Sequence, residues 1–307
     1  MPIDIQERID EFLDRHARNG STQAVAVFDC DGTVIKGDIG EAMFYRQIEQ
    51  FQFRLNPATL WPDHPRRKEL GKAYEHLSLL PEEERRSNPA FEPFARMLLD
   101  WYVQQIEDGQ VAKACADIVR LYAGFTRAEV RAFAETTFQE ELVTPFSLQP
   151  LGGRNSKRGV RYLQEAVDLL ELLRSNGFDI WAVSGSSKWS VEPVFARLRI
   201  TAERVIGIDL EERDGLLTGM PVLPIPIRED KIHALRAQEL RPPVLVASDS
   251  RNDIPLFGYS EDLRVLVNSR KRTSEEFFRS GEIPRDDRWI VYEQPTPIMN
   301  ESTPPHA

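Results

Sequence analysis

The sequence predicts an α/β fold, a doubly wound parallel sheet with a helical insertion after its first strand. Three observations carry this. Short β-type apolar runs each stop at a polar cluster: AVAVFD (24–29), DIWAVSG (179–185), PVLVASD (243–249), LRVLVN (263–268) and RWIVYE (288–293). Helical patterns lie between several of them, and such alternation favours a parallel sheet covered on both faces. The stretch from Gly40 to Asn155 breaks the alternation, with little β signal and much helical character.

In chain order, Ile5, Ile9, Phe12 and Leu13 fall at helical spacing, so the opening reads as an amphipathic helix ending near Gly20 and not as a secretory leader. Val25 to Phe28 is wholly apolar, the mark of a buried strand. It runs directly into Asp29 and Asp31, charges that are costly there unless a partner offsets them. Within the insertion, FEPFARMLLDWYVQQIEDG and GFTRAEVRAFAETTFQEEL are helical, and Thr126 with Glu129 forms a capping box for the second. LNPATLWPDHPRRK (55–68) is a proline-punctuated loop. Val160, Leu163, Val167, Leu170 and Leu173 make one helical face, with Gly177 as its stop. Residues 203–227 read as a hairpin-like excursion around Asp214-Gly215, and the tail as disordered. The expected division is 1–39 with 156–295 for the α/β unit, 40–155 for the insertion and 296–307 for the tail.

Composition is that of a globular chain: 307 residues, 41% hydrophobic and 29% charged. A formal net charge of −10 argues against a nucleic-acid partner, which needs a basic footprint. No apolar run reaches the ~18 residues of a membrane span. Two cysteines, Cys30 and Cys115, are too few for a disulfide framework, so a reduced, cytoplasmic setting is expected. Cys30, between the two acids, points to the opposite side by strand alternation and reads as packing. The five histidines show no zinc-ligand spacing.

Chemistry gathers at the strand ends. The first supplies Asp29, Asp31 and Thr33, the second Ser184 and Gly185, and the third Asp249, Asn252 and Asp253, with Lys231 just before the third. In a doubly wound sheet these ends share one edge. Carboxylates meeting there without His or Cys call for a hard cation. Mg²⁺ suits few carboxylates, a backbone carbonyl, waters and a substrate phosphate. Taken singly, each residue has a plainer use: Asp29 and Asp31 can cap a turn, Ser184 can satisfy a strand end, and Lys231 can sit in solvent.

As a set, these residues resemble the haloacid dehalogenase (HAD) superfamily. DCDGT matches its DxDx(T/V) nucleophile motif, VSG its Ser/Thr motif, Lys231 its lysine motif and SDSRND its acidic motif, in the family's order and over roughly residues 20–295. The resemblance implies a Rossmann-like core, a C1-type helical cap and a set of roles. Asp29 is then the nucleophile that forms an aspartyl-phosphate, and Asp31 the general acid and base. Ser184, Gly185 and Lys231 hold phosphoryl oxygens. Asp29, the Asp31 carbonyl and Asp249 hold Mg²⁺, with Asp253 next to them and Gly32 permitting the tight turn. An acid at position 31 favours a phosphatase or phosphomutase over a dehalogenase or a P-type ATPase.

Looser likenesses, among them GDIGEA, LYAGFTRAEV and RWIVYEQP, are similar to the phosphoserine and phosphorylcholine phosphatases of subfamily IB. Those families act on small phosphomonoesters carrying a cationic nitrogen. Asp38, nine residues past Asp29, and Glu41 on the same helical face are then candidates for an ammonium group. Equally, both acids favour the positive end of the helix that follows. Arg46, Arg54, Lys188 and Trp189 are further candidates for substrate contact. The aromatics of FYRQIEQFQF either line an ammonium pocket or fill a core. Ala247-Ser248 departs from the Gly usual before the metal-binding Asp. The expected activity is a Mg²⁺-dependent phosphomonoesterase acting on a small phosphorylated metabolite, with no nucleic-acid or membrane partner. The alternatives are a phosphotransferase that delivers the phosphoryl group to an acceptor hydroxyl, and a HAD-fold protein that binds without turnover.

Overall fold

The computed structural model describes residues 3–16, 23–54, 63–268, 274–279, 281 and 283–298. Six strands form its main sheet: β1 (Val25–Phe28), β2 (Asp179–Ser187), β3 (Val205–Ile208), β4 (Leu245–Ser248), β5 (Leu263–Asn268) and β6 (Trp289–Glu293). Their spatial order is β6-β5-β4-β1-β2-β3. β1 pairs in parallel with both β2 and β4, and the β4–β5 and β5–β6 pairs are parallel too. Every residue of β1, β4 and β5 is buried. Strands covered on both faces select continuous apolar runs, which is why they are legible as such. On one face Val25, Val27, Val183, Val246 and Leu266 pack with Leu235, Leu256, Phe257 and Phe277 from the helices that follow. Each side chain so buried contributes about 1.5–3 kcal/mol.

Five of the strands are where the sequence puts them. β3 is the addition, hidden at the start of the 203–227 stretch that reads only as a hairpin. The hairpin itself is present. Leu210–Arg213 pairs antiparallel with Leu216–Pro221 through Asp214 (φ 53°) and Gly215 (φ 78°), both left-handed as a tight hairpin turn requires.

Helix Ile3–His16 buries Ile9, Phe12 and Leu13. Its expected end near Gly20, most of the 55–68 loop and the tail from residue 299 lie outside the described residues, while Arg67 and Lys68 already belong to helix Arg67–Ser78. Residues 296–298, expected to be disordered, are held: Thr296 Oγ1 donates to Glu165 at 3.1 Å and Ile298 N to Tyr162 O at 2.9 Å. Helix Gln164–Ser175 stops as expected. Gly177 N donates to Arg174 O and Phe178 N to Leu173 O, with Gly177 at φ 80°. It starts late, because Arg161–Tyr162 pairs with Ile35–Lys36 and takes the first turn out of the helix.

The chain forms two compact units. One comprises Met1–Asp38, Val160–Gly207 and Pro224–Ala307, and the other Ile39–Gly159 with Ile208–Leu223. The second holds helices Ile39–Glu49, Arg67–Ser78, Glu82–Arg85, Phe91–Glu107, Val111–Val119 and Arg127–Val143, all of them in the chain between β1 and β2. The expected capping box is formed: Thr126 Oγ1 accepts from Glu129 N at 3.2 Å, and Glu129 accepts from Thr126 N at 2.9 Å. The 208–223 hairpin, counted with the α/β unit by sequence, belongs to the helical unit. Gly124 N donates to Leu217 O and Leu217 N to Phe125 O, each at 2.9 Å, and Arg127 pairs with Asp209 and Glu212. A second hairpin, Ser147–Leu151 with Arg154–Arg158, was not foreseen. Its strands are polar and largely exposed, so Gly152-Gly153 was its one cue. Among the described residues, no helix is long and apolar enough to cross a membrane.

Candidate active site

β1 ends level with both neighbours, Phe28 standing opposite Ala182 on β2 and Ala247 on β4. The residues just past these partners therefore emerge at one edge: Asp29, Ser184 and Asp249. Asp29 N donates to Ala247 O at 2.9 Å, so the pairing runs on through Asp29.

Lys231, in the first turn of helix Asp230–Ala237, reaches this edge and is 4% exposed. Its Nζ donates to Asp29 Oδ1 at 2.9 Å and to Asp253 Oδ2 at 2.8 Å. Ser248 Oγ donates to the same Asp253 oxygen at 2.6 Å, and Thr33 Oγ1 faces Asp29 Oδ2 at 3.5 Å. Burial pushes the Asp29 carboxyl above its ordinary value, against the pull of Lys231. Burial also opposes the Lys231 ammonium, but Asp253 and Asp29 outweigh it and hold the lysine charged. One ammonium thus faces two buried carboxylates, and Asp249 is a third buried acid at the same edge. Asp253 Oδ1 is buried without a hydrogen-bond partner among the described residues. Such an excess of negative charge is stable only with a further cation or with protonation.

Gly32 meets two demands. Its φ of 79° suits glycine, and a Cβ there would fall 2.3 Å from Asp249 Oδ2. The Asp249 carboxylate therefore lies against the Asp31-Gly32 turn, where hard oxygen donors fit Mg²⁺. Among the described residues no three His, Cys, Asp or Glu side chains form a metal cluster. Two carboxylates with a main-chain carbonyl need no such cluster.

The remaining sequence candidates fall differently. Ser184 is buried, and its Oγ accepts from Ser186 N at 3.1 Å. Gly185 follows it on β2, where a Cβ would press on Ile227 at 3.1 Å. Ser186 was not singled out by sequence, yet its Oγ donates to Asp31 Oδ2 at 2.6 Å. The run of serines in SGSS was the available signal. Trp189 is fully buried and packs in the core, with Lys188 half-buried beside it. Asn252 is exposed, its main-chain N donating to Ser250 Oγ at 3.1 Å. Cys30 is buried, and burial with Asp31 and Asp29 pushes its thiol well up, away from thiolate chemistry.

Asp38 is half-buried directly before helix Ile39–Glu49. In the helical unit, Glu41 accepts from Tyr45 Oη at 3.1 Å and from Tyr102 Oη at 3.3 Å. Arg46 pairs with Glu140, and Arg54 grips Glu129 with two nitrogens at 2.9 and 2.6 Å. Phe51 and Phe53 stack with Tyr74 and Phe94, so that part of the aromatic stripe is core.

The fold is shared with proteins of known structure. A conserved, functionally unknown protein from Anaerococcus prevotii DSM 20548 matches with a TM-score of 0.69 at 19% identity, over 90% of this chain and 88% of its own. A protein of unknown function from Bordetella pertussis Tohama I matches with a TM-score of 0.54 at 19% identity, over 89% of this chain and 100% of its own. No curated protein matches the chain. The model of the haloacid dehalogenase-like hydrolases matches residues 26–258, a span that takes in the Asp29–Asp31 turn, the serine strand end, Lys231 and the final acids. The chain belongs to the haloacid dehalogenase-like hydrolases.

Proposed function

We propose that this hydrolase is a Mg²⁺-dependent phosphomonoesterase of the phosphoserine phosphatase-like branch, acting through an aspartyl-phosphate on a small metabolite that bears an ammonium group. The observation that carries the reading is Lys231 placed between Asp29 and Asp253, at 2.9 and 2.8 Å. A nucleophilic carboxylate must stay ionised in a buried site, and a buried ammonium in contact with it does that.

When bound by Asp29, Asp249 and the Asp31 carbonyl, Mg²⁺ would offset the excess negative charge and that of the substrate phosphate. Asp29 attacks phosphorus, and the bond to the leaving oxygen breaks. That oxygen takes its electron pair and a proton from Asp31, leaving as an alcohol. Asp31 then accepts a proton from the water that attacks the aspartyl-phosphate, freeing phosphate and restoring both acids. Lys231 and Ser184 hold phosphoryl oxygens as charge develops.

The ammonium preference is supported by the sequence likeness to families whose substrates carry a cationic nitrogen, with Glu41 as one candidate acid. Asp38 is the second acid available for that role. The test is phosphate release from phosphoserine, phosphothreonine, phosphorylcholine, phosphoethanolamine and sugar phosphates, with Mg²⁺ and with EDTA. Release that needs Mg²⁺ and is lost in Asp29→Asn supports the mechanism. A best substrate without an amine removes the ammonium preference, and silence toward every ester removes the reading.

A further inference from the structure

Asp29 and Asp31 are each met by a side chain from elsewhere in the fold. Asp29 is bound by a charged lysine. Asp31 is bound by a neutral hydroxyl, Ser186 Oγ, 2.6 Å from Oδ2. That short contact ties the Asp31 carboxyl to β2.

Building on the phosphomonoesterase reading, we propose that Ser186 is the positioning residue of Asp31, aiming its carboxyl at the leaving oxygen. The local structure makes Ser186 a firm support. It is one of the last residues of β2, which pairs with β1. Its main-chain N is held by Ser184 Oγ at 3.1 Å. The next residue, Ser187, caps helix Lys188–Ala196 by accepting from Ser190 N at 3.1 Å. Asp31 itself sits on a half-exposed turn, outside the regular strand. The hydroxyl therefore links the Asp31 carboxyl to the rigidity of the sheet.

The role concerns one event, delivery of a proton to the oxygen that leaves phosphorus. It matters for an alkoxide, a poor leaving group, and hardly at all for p-nitrophenolate, which departs as a stable anion. The experiment measures kcat/KM for wild type, Ser186→Ala and Ser186→Thr on phosphoethanolamine and on p-nitrophenyl phosphate, with thermal unfolding to verify folding. The ratio kcat/KM reports steps up to departure of the leaving group, so later hydrolysis of the aspartyl-phosphate does not mask the effect. Ser186→Ala is expected to lower kcat/KM about tenfold for the alkyl ester and less than about twofold for the aryl ester, a fraction of what general acid catalysis contributes. Ser186→Thr, which keeps the hydroxyl, is expected to restore most of the loss. An equal fall on both esters, or no fall on either, overturns the assignment. Wild type inert on both esters overturns the phosphomonoesterase reading and this assignment with it, whereas an active wild type with unselective Ser186 variants overturns this assignment alone.

Discussion

Each unit of the molecule buries one cation between two carboxylates, and the two clusters are finished differently. In the helical unit, Arg158 lies between Glu49 and Glu141. Its Nε and Nη2 reach Glu141 Oε1 at 2.8 and 2.5 Å, and its Nη1 reaches Glu49 and Gln149. Gly159 N takes the other Glu141 oxygen at 2.6 Å. In the α/β unit, Lys231 lies between Asp29 and Asp253, but Asp253 Oδ1 has no hydrogen bond among the described residues. Burial of a charge is tolerated when every polar atom is satisfied. The arginine cluster meets that condition from within the protein and is a structural brace. The lysine cluster does not, and its shortfall of positive charge is what the proposed metal ion would offset.

Substitutions sharpen this contrast, beginning with the largest effect. Asp29→Asn is expected to lower phosphate release at least ~10³-fold, because the covalent step disappears. Its unfolding midpoint should equal or exceed that of wild type, since an amide relieves the excess charge. Next come the two cations. Lys231→Met and Arg158→Met each leave two buried carboxylates without their partner, which costs about 3–5 kcal/mol in urea unfolding. Their activities should separate: Lys231→Met loses at least ~10²-fold per folded molecule, while Arg158→Met stays within about threefold. A deep loss of turnover in folded Arg158→Met would break the comparison.

Mg²⁺ supplies a third measurement that needs no turnover. At about 100 times its dissociation constant the ion should stabilise the wild type by about 2.7 kcal/mol, read as a rise in Tm. Arg158→Met should keep that rise and Asp249→Asn should lose it. The smallest effect belongs to an exposed pair in the helical unit. The Arg54 guanidinium, with Thr126, holds the Glu129 carboxyl down at about 2, from an ordinary value of 4.5. A depressed carboxyl adds stability above its unfolded value and loses it as pH falls. Wild type should therefore lose this contribution between about pH 4.5 and 2, and Glu129→Gln should show no such component in acid unfolding.

The helical stop at Gly177, the capping box at Thr126 and the Asp214-Gly215 turn were legible because each depends on residues within a few positions of one another. The Asp29–Asp31 turn was legible for a different reason. An apolar run that ends in two acids is so unfavourable without partners that the partners could be sought elsewhere in the chain. Less visible were features that lack an apolar pattern. The Ser147–Leu151 and Arg154–Arg158 hairpin is mostly polar, and β3 is four residues against a hairpin of similar composition.

By itself the sequence determined the buried strands, the order of the four motifs and the local turns, since these follow from periodicity and backbone preference. Tertiary structure decided the rest. Lys231 meets Asp29 across 202 residues of chain, Ser186 meets Asp31 across 155, and the 208–223 hairpin joins the helical unit through Gly124 and Arg127. Such contacts depend on which strand lies beside which and in what register, and that is set by packing of the whole sheet. A serine beside the second motif reads as one more polar residue until β2 is placed next to β1.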